Sequence, residues 1–307
     1  DDMAFNIIKE STYQRKLSAY KHLEQSDIGN MSIQKVSTDD VKSFLKSITS
    51  YSDSVIRKDY ELLSRCFREA VSRDIINKSP MLGIKRPRSS QVPEDTRALT
   101  LDEQRKLVDV LNTQNVSYTV QMKLMLLTGM RMGEINALDV NDVSLPFRTI
   151  NIRRTLTKGD HDRMMVGNTT KTYAGIRKVP LPDAAAKLLT EYLENEYKSN
   201  RENLLFWDWK KDNVITTTQV NHQFKRTCEK YGIVDDTVPG RVSLHSLRHT
   251  YATRCIEAEM PPKVLQTLLG HKDIRVTLNT YCDAFNNFKG SGIAKFVTYM
   301  EAQNIAI

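Results

Sequence analysis

The 307-residue chain has four cysteines, Cys66, Cys228, Cys255 and Cys282, and they form no Cys-x-x-Cys pair. Their scatter argues against a disulfide framework or a cysteine-held zinc and suits a reducing cytosol. No apolar run approaches the ~18 residues that a spanning helix needs. The first residues carry no charged-then-apolar signal segment, so membrane-bound and secreted forms are not expected. There is no Walker-type phosphate loop, no cluster of carboxylates suited to magnesium, no internal repeat and no low-complexity tract. Charge of one sign is in modest excess only: 45 Lys+Arg against 37 Asp+Glu leave +8, which permits an acidic polymer as partner without demanding one. With 40% apolar and 27% charged residues, the chain is neither disordered nor fibrous. Its length suits two domains, each able to bury a core.

Residues 6–77 read as helical throughout. Val41, Phe44, Leu45 and Ile48 fall at i, i+3, i+4, i+7 behind Ser37-Thr38-Asp39, an N-cap. Ile56, Tyr60, Leu63, Phe67 and Ala70 continue the spacing in a second long helix, and Lys78-Ser79-Pro80 ends the segment. Residues 83–97 hold two prolines and no apolar period, which marks a linker. Its opening, Lys85-Arg86-Pro87-Arg88, is a compact basic cluster that composition alone reads as a solvated connector.

A second domain opens on Thr100-Leu101-Asp102-Glu103, a capping box backed by Leu107, Val110 and Leu111. An apolar helix runs from Val120 to Leu127 and breaks at Gly129. Thr149–Ile152 and Lys178–Leu181 alternate as strands of a small antiparallel sheet, joined by a polar loop from Lys158 to Gly175. Helices resume at 182–197, 217–231 (closed by Gly232), 245–258 and 262–269. The fold class expected is mainly α with a small antiparallel β-sheet.

Four clusters carry chemistry, each weak alone. In Thr128-Gly129-Met130-Arg131-Met132-Gly133-Glu134, Arg131 and Glu134 stand at i, i+3, so the carboxylate can hold the guanidinium. An isolated pair of this kind is usually a surface ion pair, but this one is set in apolar sequence, which would partly bury and aim the arginine. Lys171, in Thr170-Lys171-Thr172, matters if its hairpin folds over a cleft, where an ammonium can protonate a leaving oxygen. In Leu244-His245-Ser246-Leu247-Arg248-His249, His245 pairs with Arg248 at i, i+3 and with His249 at i, i+4. The second spacing resembles a zincin, but the Glu of His-Glu-x-x-His is missing, so no metal is expected. Finally, Leu268-Leu269-Gly270-His271 precedes Tyr281 by ten residues, counted from the histidine.

Together these residues suit a phosphodiester. Guanidiniums clamp non-bridging oxygens, a lysine protonates the leaving group and a tyrosine attacks, without a metal or other cofactor. A free tyrosine has a pKa of ~10, so its attack at neutral pH needs a base or a cationic field. The arginines supply the field, and His245 is the plausible acceptor.

In order and spacing, Arg131 to Glu134, Lys171-Thr, His245 to Arg248, Leu-Leu-Gly-His271 and Tyr281 resemble the tyrosine recombinase (phage-type integrase) family. Leu-Leu-Gly-His-Lys-Asp-Ile-Arg-Val-Thr-Leu-Asn-Thr-Tyr looks most like integrases of conjugative transposons and temperate phages. The resemblance implies that Tyr281 attacks the scissile phosphate, giving a 3′-phosphotyrosine and a free 5′-hydroxyl. Arg131, Arg248 and His271 would hold the phosphate oxygens, Lys171 would be the general acid, and His245 would help take the tyrosine proton. Glu134 would orient Arg131 and the active-site histidines. The covalent link keeps the phosphodiester energy, so rejoining would need no ATP.

The same resemblance implies a two-domain DNA clamp: residues 1–82 as a helical core-binding domain, 83–97 as a basic linker, 98–286 as the catalytic domain and 287–307 as a C-terminal tail helix docking in trans. In that setting Lys85, Arg86 and Arg88 become DNA backbone contacts. The partners implied are double-stranded DNA at element ends and target sites, further copies in a homo-tetramer on synapsed DNA, and an excisionase or DNA-bending protein, with no membrane. The location implied is the bacterial cytoplasm and nucleoid. The opening Asp-Asp-Met suits a fragment of something longer, and the resemblance implies that the missing part is a small N-terminal arm-binding domain. The function expected is site-specific integration and excision of a mobile element. The alternatives are a type IB topoisomerase-like or resolvase-like strand transferase, which would relax supercoils without recombinant product, and a non-catalytic DNA-binding module.

Overall fold

Capping residues set where the helices start. In the computed structural model, which describes residues 10–92, 94–158, 164–167, 175–280, 296–298, 300 and 302, the chain divides after Glu94 into two compact units.

The first unit is built on α1 (Glu10–Glu24), α2 (Thr38–Ser47) and α3 (Asp53–Ser72). Ser37 accepts from the Asp40 N–H and the Asp40 carboxylate accepts from the Ser37 N–H, a reciprocal cap that fixes the start of α2. Val41, Phe44 and Leu45 of α2 pack with Ile56, Leu63 and Phe67 of α3, and with Ile48 and Met81, into one core. Each such side chain contributes about 1.5–3 kcal/mol by leaving water. The helices are more broken than the uninterrupted pattern over 6–77 predicts. One-turn helices at Asp27–Asn30 and Ile48–Ser50 intervene, and α3 stops at Ser72, before Pro80. The chain doubles back at Gly29, where a Cβ would run into the Leu23 carbonyl.

The stretch read as a linker is divided between the two units. Residues 84–91 are stitched to the first: Tyr60 donates to the Ile84 carbonyl (2.7 Å), the Ser90 N–H to Thr49 (2.8 Å) and the Gln91 amide to Ser50 (2.7 Å). Arg97 belongs to the second, donating through both terminal nitrogens to Glu103 at 2.7 Å.

The second unit contains α4 (Leu101–Thr113), α5 (Thr119–Thr128), α6 (Met132–Ile135), β1 (Val143–Ser144), β2 (Thr149–Ile152), β3 (Thr155–Lys158), β4 (Met164–Gly167), β5 (Arg177–Pro180), α7 (Asp183–Asn195), β6 (Trp207–Asp208), β7 (Asn213–Val214), α8 (Thr217–Tyr231), α9 (Leu244–Glu257), α10 (Pro262–Leu269) and α11 (Ile274–Thr280). The Thr100–Glu103 capping box is present at the start of α4. Strands β1, β2 and β5 form an antiparallel sheet in that order, with Ile150 opposite Val179 and Ile152 opposite Arg177. The polar stretch after Lys158, expected as loop, contains β4, which pairs with β3; β6 and β7 form a further short pair. Two-residue strands have too little alternation for sequence to show them. The core runs from Leu107, Met122 and Leu124 through Ile135, Ile150 and Val179 to Phe206, Phe224 and Leu247. The fold is thus mainly α with small antiparallel sheets, and among the described residues no helix is long and apolar enough to cross a membrane.

Residues 296–298, 300 and 302 are helical; the rest of the expected tail, 287–307, lies outside the described residues.

Candidate active site

The site begins where α5 ends. Its apolar residues Met122, Leu124 and Met125 are buried, and the helix stops at Gly129 (φ 64°), whose N–H returns to the Met125 carbonyl. Gly129 also lies against Tyr251, whose ring a Cβ would strike, so both conformation and space require glycine. The chain then extends through Arg131 into α6. Glu134 accepts the Arg131 N–H (2.9 Å), capping α6, and accepts from the same residue's guanidinium (2.8 Å). The expected i, i+3 pair therefore exists, with Glu134 at 3% exposure and the Arg131 side chain at 40%.

Arg177 is the residue the sequence reading missed. Its guanidinium, 4% exposed, donates to both Glu134 oxygens at 3.2 and 2.9 Å. The available signal is its register in β5: it takes the inward-facing position shared with Val179, where alternation calls for an apolar residue. Burial alone would raise the Glu134 pKa, but the charges of Arg177 and Arg131, with their hydrogen bonds, hold it below the usual carboxylate range. Glu134 stays ionised.

Arg248, 1% exposed on α9, donates to the Gly129 carbonyl (2.8 Å) and the Leu269 carbonyl (2.7 Å). The last carbonyls of α10 are a collecting point. Leu268 accepts from Arg177 Nε at 2.7 Å, while Leu269 accepts from Arg248 and, at 3.4 Å, from Arg131. A helix C-terminus offers unpaired carbonyls with partial negative charge, which suits guanidiniums. Gly270 (φ 65°) closes α10; a Cβ there would sit 2.8 Å from Arg177 Nη1.

His271 follows directly, with Nε2 3.0 Å from Arg248 Nη2 and Nδ1 2.8 Å from the Thr277 hydroxyl. Burial, then the charges of Arg248, Arg131 and Arg177, push its pKa down to about 4. His245 stands in the first turn of α9, edge-on to His249 at 4.8 Å between centroids. Although part of it faces solvent, crowding by the protein and the charges around it, Arg248 and Arg131 among them, lower its pKa to about 4. Both rings are neutral at pH 7. The expected His245–Arg248 neighbourhood is thus electrostatic, and the hydrogen-bonded histidine is His271.

Two guanidiniums, Arg131 and Arg177, share the Glu134 carboxylate, and a third, Arg248, is held by carbonyls, leaving a surplus of positive charge that suits an anion. The structure brings Arg131, Glu134, His245, Arg248 and His271 together. Lys171 and Tyr281 lie outside the described residues. Lys85, Arg86 and Arg88 are exposed on the first unit, with Arg86 paired to Asp53 at 2.8 Å. Among the described residues, no group of three or more His, Cys, Asp or Glu could hold a metal ion.

Residues 97–287 match the model of the Phage integrase family, and the chain belongs to that family. It is 27% identical over 274 residues to the transposase from transposon Tn916 of Enterococcus faecalis, covering 85% of this chain and 67% of that protein. It is 24% identical over 297 residues to a tyrosine recombinase XerC-like protein of Caldanaerobacter subterraneus, covering 89% and 74%. Its fold is similar to that of the Tn1549 transposon integrase, solved in complex with a circular intermediate DNA, with a TM-score of 0.75 at 23% identity over 91% of both chains.

Proposed function

We propose that this protein is a site-specific DNA recombinase that integrates and excises a mobile element through a 3′-phosphotyrosine intermediate. The observation that carries the reading is the convergence of Arg131 and Arg248 on the Leu269 carbonyl at the end of α10, with Arg248 also on the Gly129 carbonyl after α5 and His271 against Arg248. Arg248, anchored to neutral carbonyls, keeps its full charge for a phosphate, and the backbone fixes its aim. Family membership supplies the chemistry that such an anion site serves.

Arg131 and Arg248 bind the non-bridging oxygens of the scissile phosphate. Tyr281 attacks phosphorus, and the P–O5′ bond breaks as Lys171 gives its proton to the leaving 5′-oxygen. His245, neutral at pH 7, takes the tyrosine proton. His271 supports the oxygen clamp through Arg248, and Glu134 orients Arg131. A 5′-hydroxyl then attacks the phosphotyrosine and releases Tyr281, so no external energy source is used. Residues 1–82 and 98–286 together grip duplex DNA, with Lys85, Arg86 and Arg88 of the 83–97 segment on its backbone. The tail, 287–307, docks on a neighbouring copy within a tetramer, and an excisionase or DNA-bending protein sets direction. The protein acts in the bacterial cytoplasm and nucleoid.

The test is a supercoiled plasmid carrying two sites drawn from a pool selected for binding to this chain. Recombinant circles are the expected product. Relaxation without recombinants would instead make it a topoisomerase-like strand transferase, and binding without either would make it a non-catalytic module.

A further inference from the structure

Helix α11 is patterned the wrong way round for packing alone. Val276 is 48% exposed and Leu278 39%, while Thr277 between them is fully buried. A threonine inside with aliphatic residues outside points to a use for the hydroxyl. That hydroxyl lies 2.8 Å from His271 Nδ1, and His271 Nε2 lies 3.0 Å from Arg248 Nη2. A guanidinium has N–H donors and no acceptor, so Nε2 accepts; the neutral ring then carries its proton on Nδ1, and Thr277 Oγ1 accepts it. The polarity of the chain is fixed at every link. The His271 backbone is held as well, its N–H donating to the Gln266 carbonyl (3.1 Å) and its carbonyl accepting from the Gln266 amide (3.0 Å).

Thr277 precedes Tyr281 by four residues, about one helical turn of sequence. We infer that Thr277 is a positioning residue whose hydroxyl fixes the Nδ1–H tautomer of His271 and so fastens the helix leading into the nucleophile to the phosphate-binding Arg248. The inference rests on the roles proposed above for Tyr281 and Arg248. It makes two requirements of the reaction one event: a shift of α11 removes the acceptor from His271 Nδ1, and the ring no longer offers Nε2 to Arg248. Nucleophile register and phosphate clamp are then set together.

Valine and serine separate hydroxyl from shape. Thr277→Val keeps the branched outline without an acceptor; Thr277→Ser keeps the acceptor and loses the methyl. The experiment is single-turnover cleavage of nicked duplexes from the binding-selected pool, alongside 15N spectra of the His271 ring. Thr277→Val is expected to cleave about 10- to 100-fold more slowly at unchanged DNA affinity, the size of loss that follows misplaced reacting groups. Thr277→Ser stays close to wild type, and the ring is Nδ1-protonated in wild type and serine variant but mixed in the valine variant. Wild-type cleavage by Thr277→Val, or equal slowing by both variants, overturns the inference. If Thr277→Val does not fold, the wild-type spectrum decides, and an Nε2-protonated His271 overturns it. Wild type that binds the duplex without forming an adduct overturns the Tyr281 assignment and the inference with it, a result read from a different lane.

Discussion

The Leu269 carbonyl accepts from Arg248 Nη2 at 2.7 Å, so the most buried cation of the site is held by the end of a helix and not by a carboxylate. Arg131 reaches the same oxygen at 3.4 Å, and the neighbouring Leu268 carbonyl takes Arg177. Carbonyl anchors orient a guanidinium without neutralising it, which is what an anion-binding cleft requires.

Arg248→Lys tests that geometry. Lysine keeps the charge but cannot span the Gly129 and Leu269 carbonyls and His271 together. Cleavage is expected to fall on the order of 10²- to 10³-fold, with DNA affinity little changed, measured by single-turnover adduct formation beside equilibrium binding.

Glu134→Gln removes the carboxylate that neutralises Arg177, leaving a guanidinium that is 4% exposed without its countercharge. The expected loss is about 3–5 kcal/mol, measured by urea unfolding. Arg177→Met added to Glu134→Gln should recover part of it, because the double variant buries no unpaired charge. An additive double variant would contradict the pairing.

How much of this was legible in sequence depends on which force set each feature. Local signals read well: the Thr100 and Ser37 caps, the break at Gly129, the closure at Gly232 and the β2–β5 pairing come from short-range pattern and turn chemistry. The Arg131–Glu134 pair was legible because both ends lie within one turn. Arg177 and Thr277 were not, because their partners are 43 and 6 residues away and only tertiary packing shows that they are buried. Sequence showed neither the β6–β7 pair, whose two-residue strands carry no period, nor β4, whose Met-Met-Val-Gly does not alternate.

Acid should loosen the second unit before it denatures a generic domain. The folded pKa of His271 is about 4, below its ordinary 6.5, so between these values the unfolded chain binds more protons and stability rises with pH. This contribution is fully present above pH 6.5 and is lost as pH falls toward 4. Glu103 acts in the same direction lower down: although burial opposes ionisation, Arg97 and backbone N–H groups bring its pKa to about 2, and its contribution is lost from about 4.5 downward. Urea midpoints at pH 7, 5.5 and 4.5 should fall in that order, and the His271 ring should titrate near 4 by NMR; a midpoint at 6.5 would contradict its placement among the arginines.

The exposed basic residues of the 83–97 segment predict a salt effect. Lys85→Ala and Arg88→Ala should each flatten the slope of log affinity against log salt by about 0.9, one phosphate contact apiece. Arg86→Ala should change it less, because its guanidinium exchanges Asp53 for phosphate. Titrations at several salt concentrations read these slopes directly, and unchanged slopes would remove the segment from the interface.

Covalent trapping tests the central claim most directly. A nicked duplex from the binding-selected pool is incubated with wild type or Tyr281→Phe in EDTA, and the products are resolved on a denaturing gel. The account predicts a protein–DNA adduct with wild type and none with Tyr281→Phe, at equal DNA affinity. An adduct that persists in Tyr281→Phe, or wild type that binds and never forms one, would contradict it.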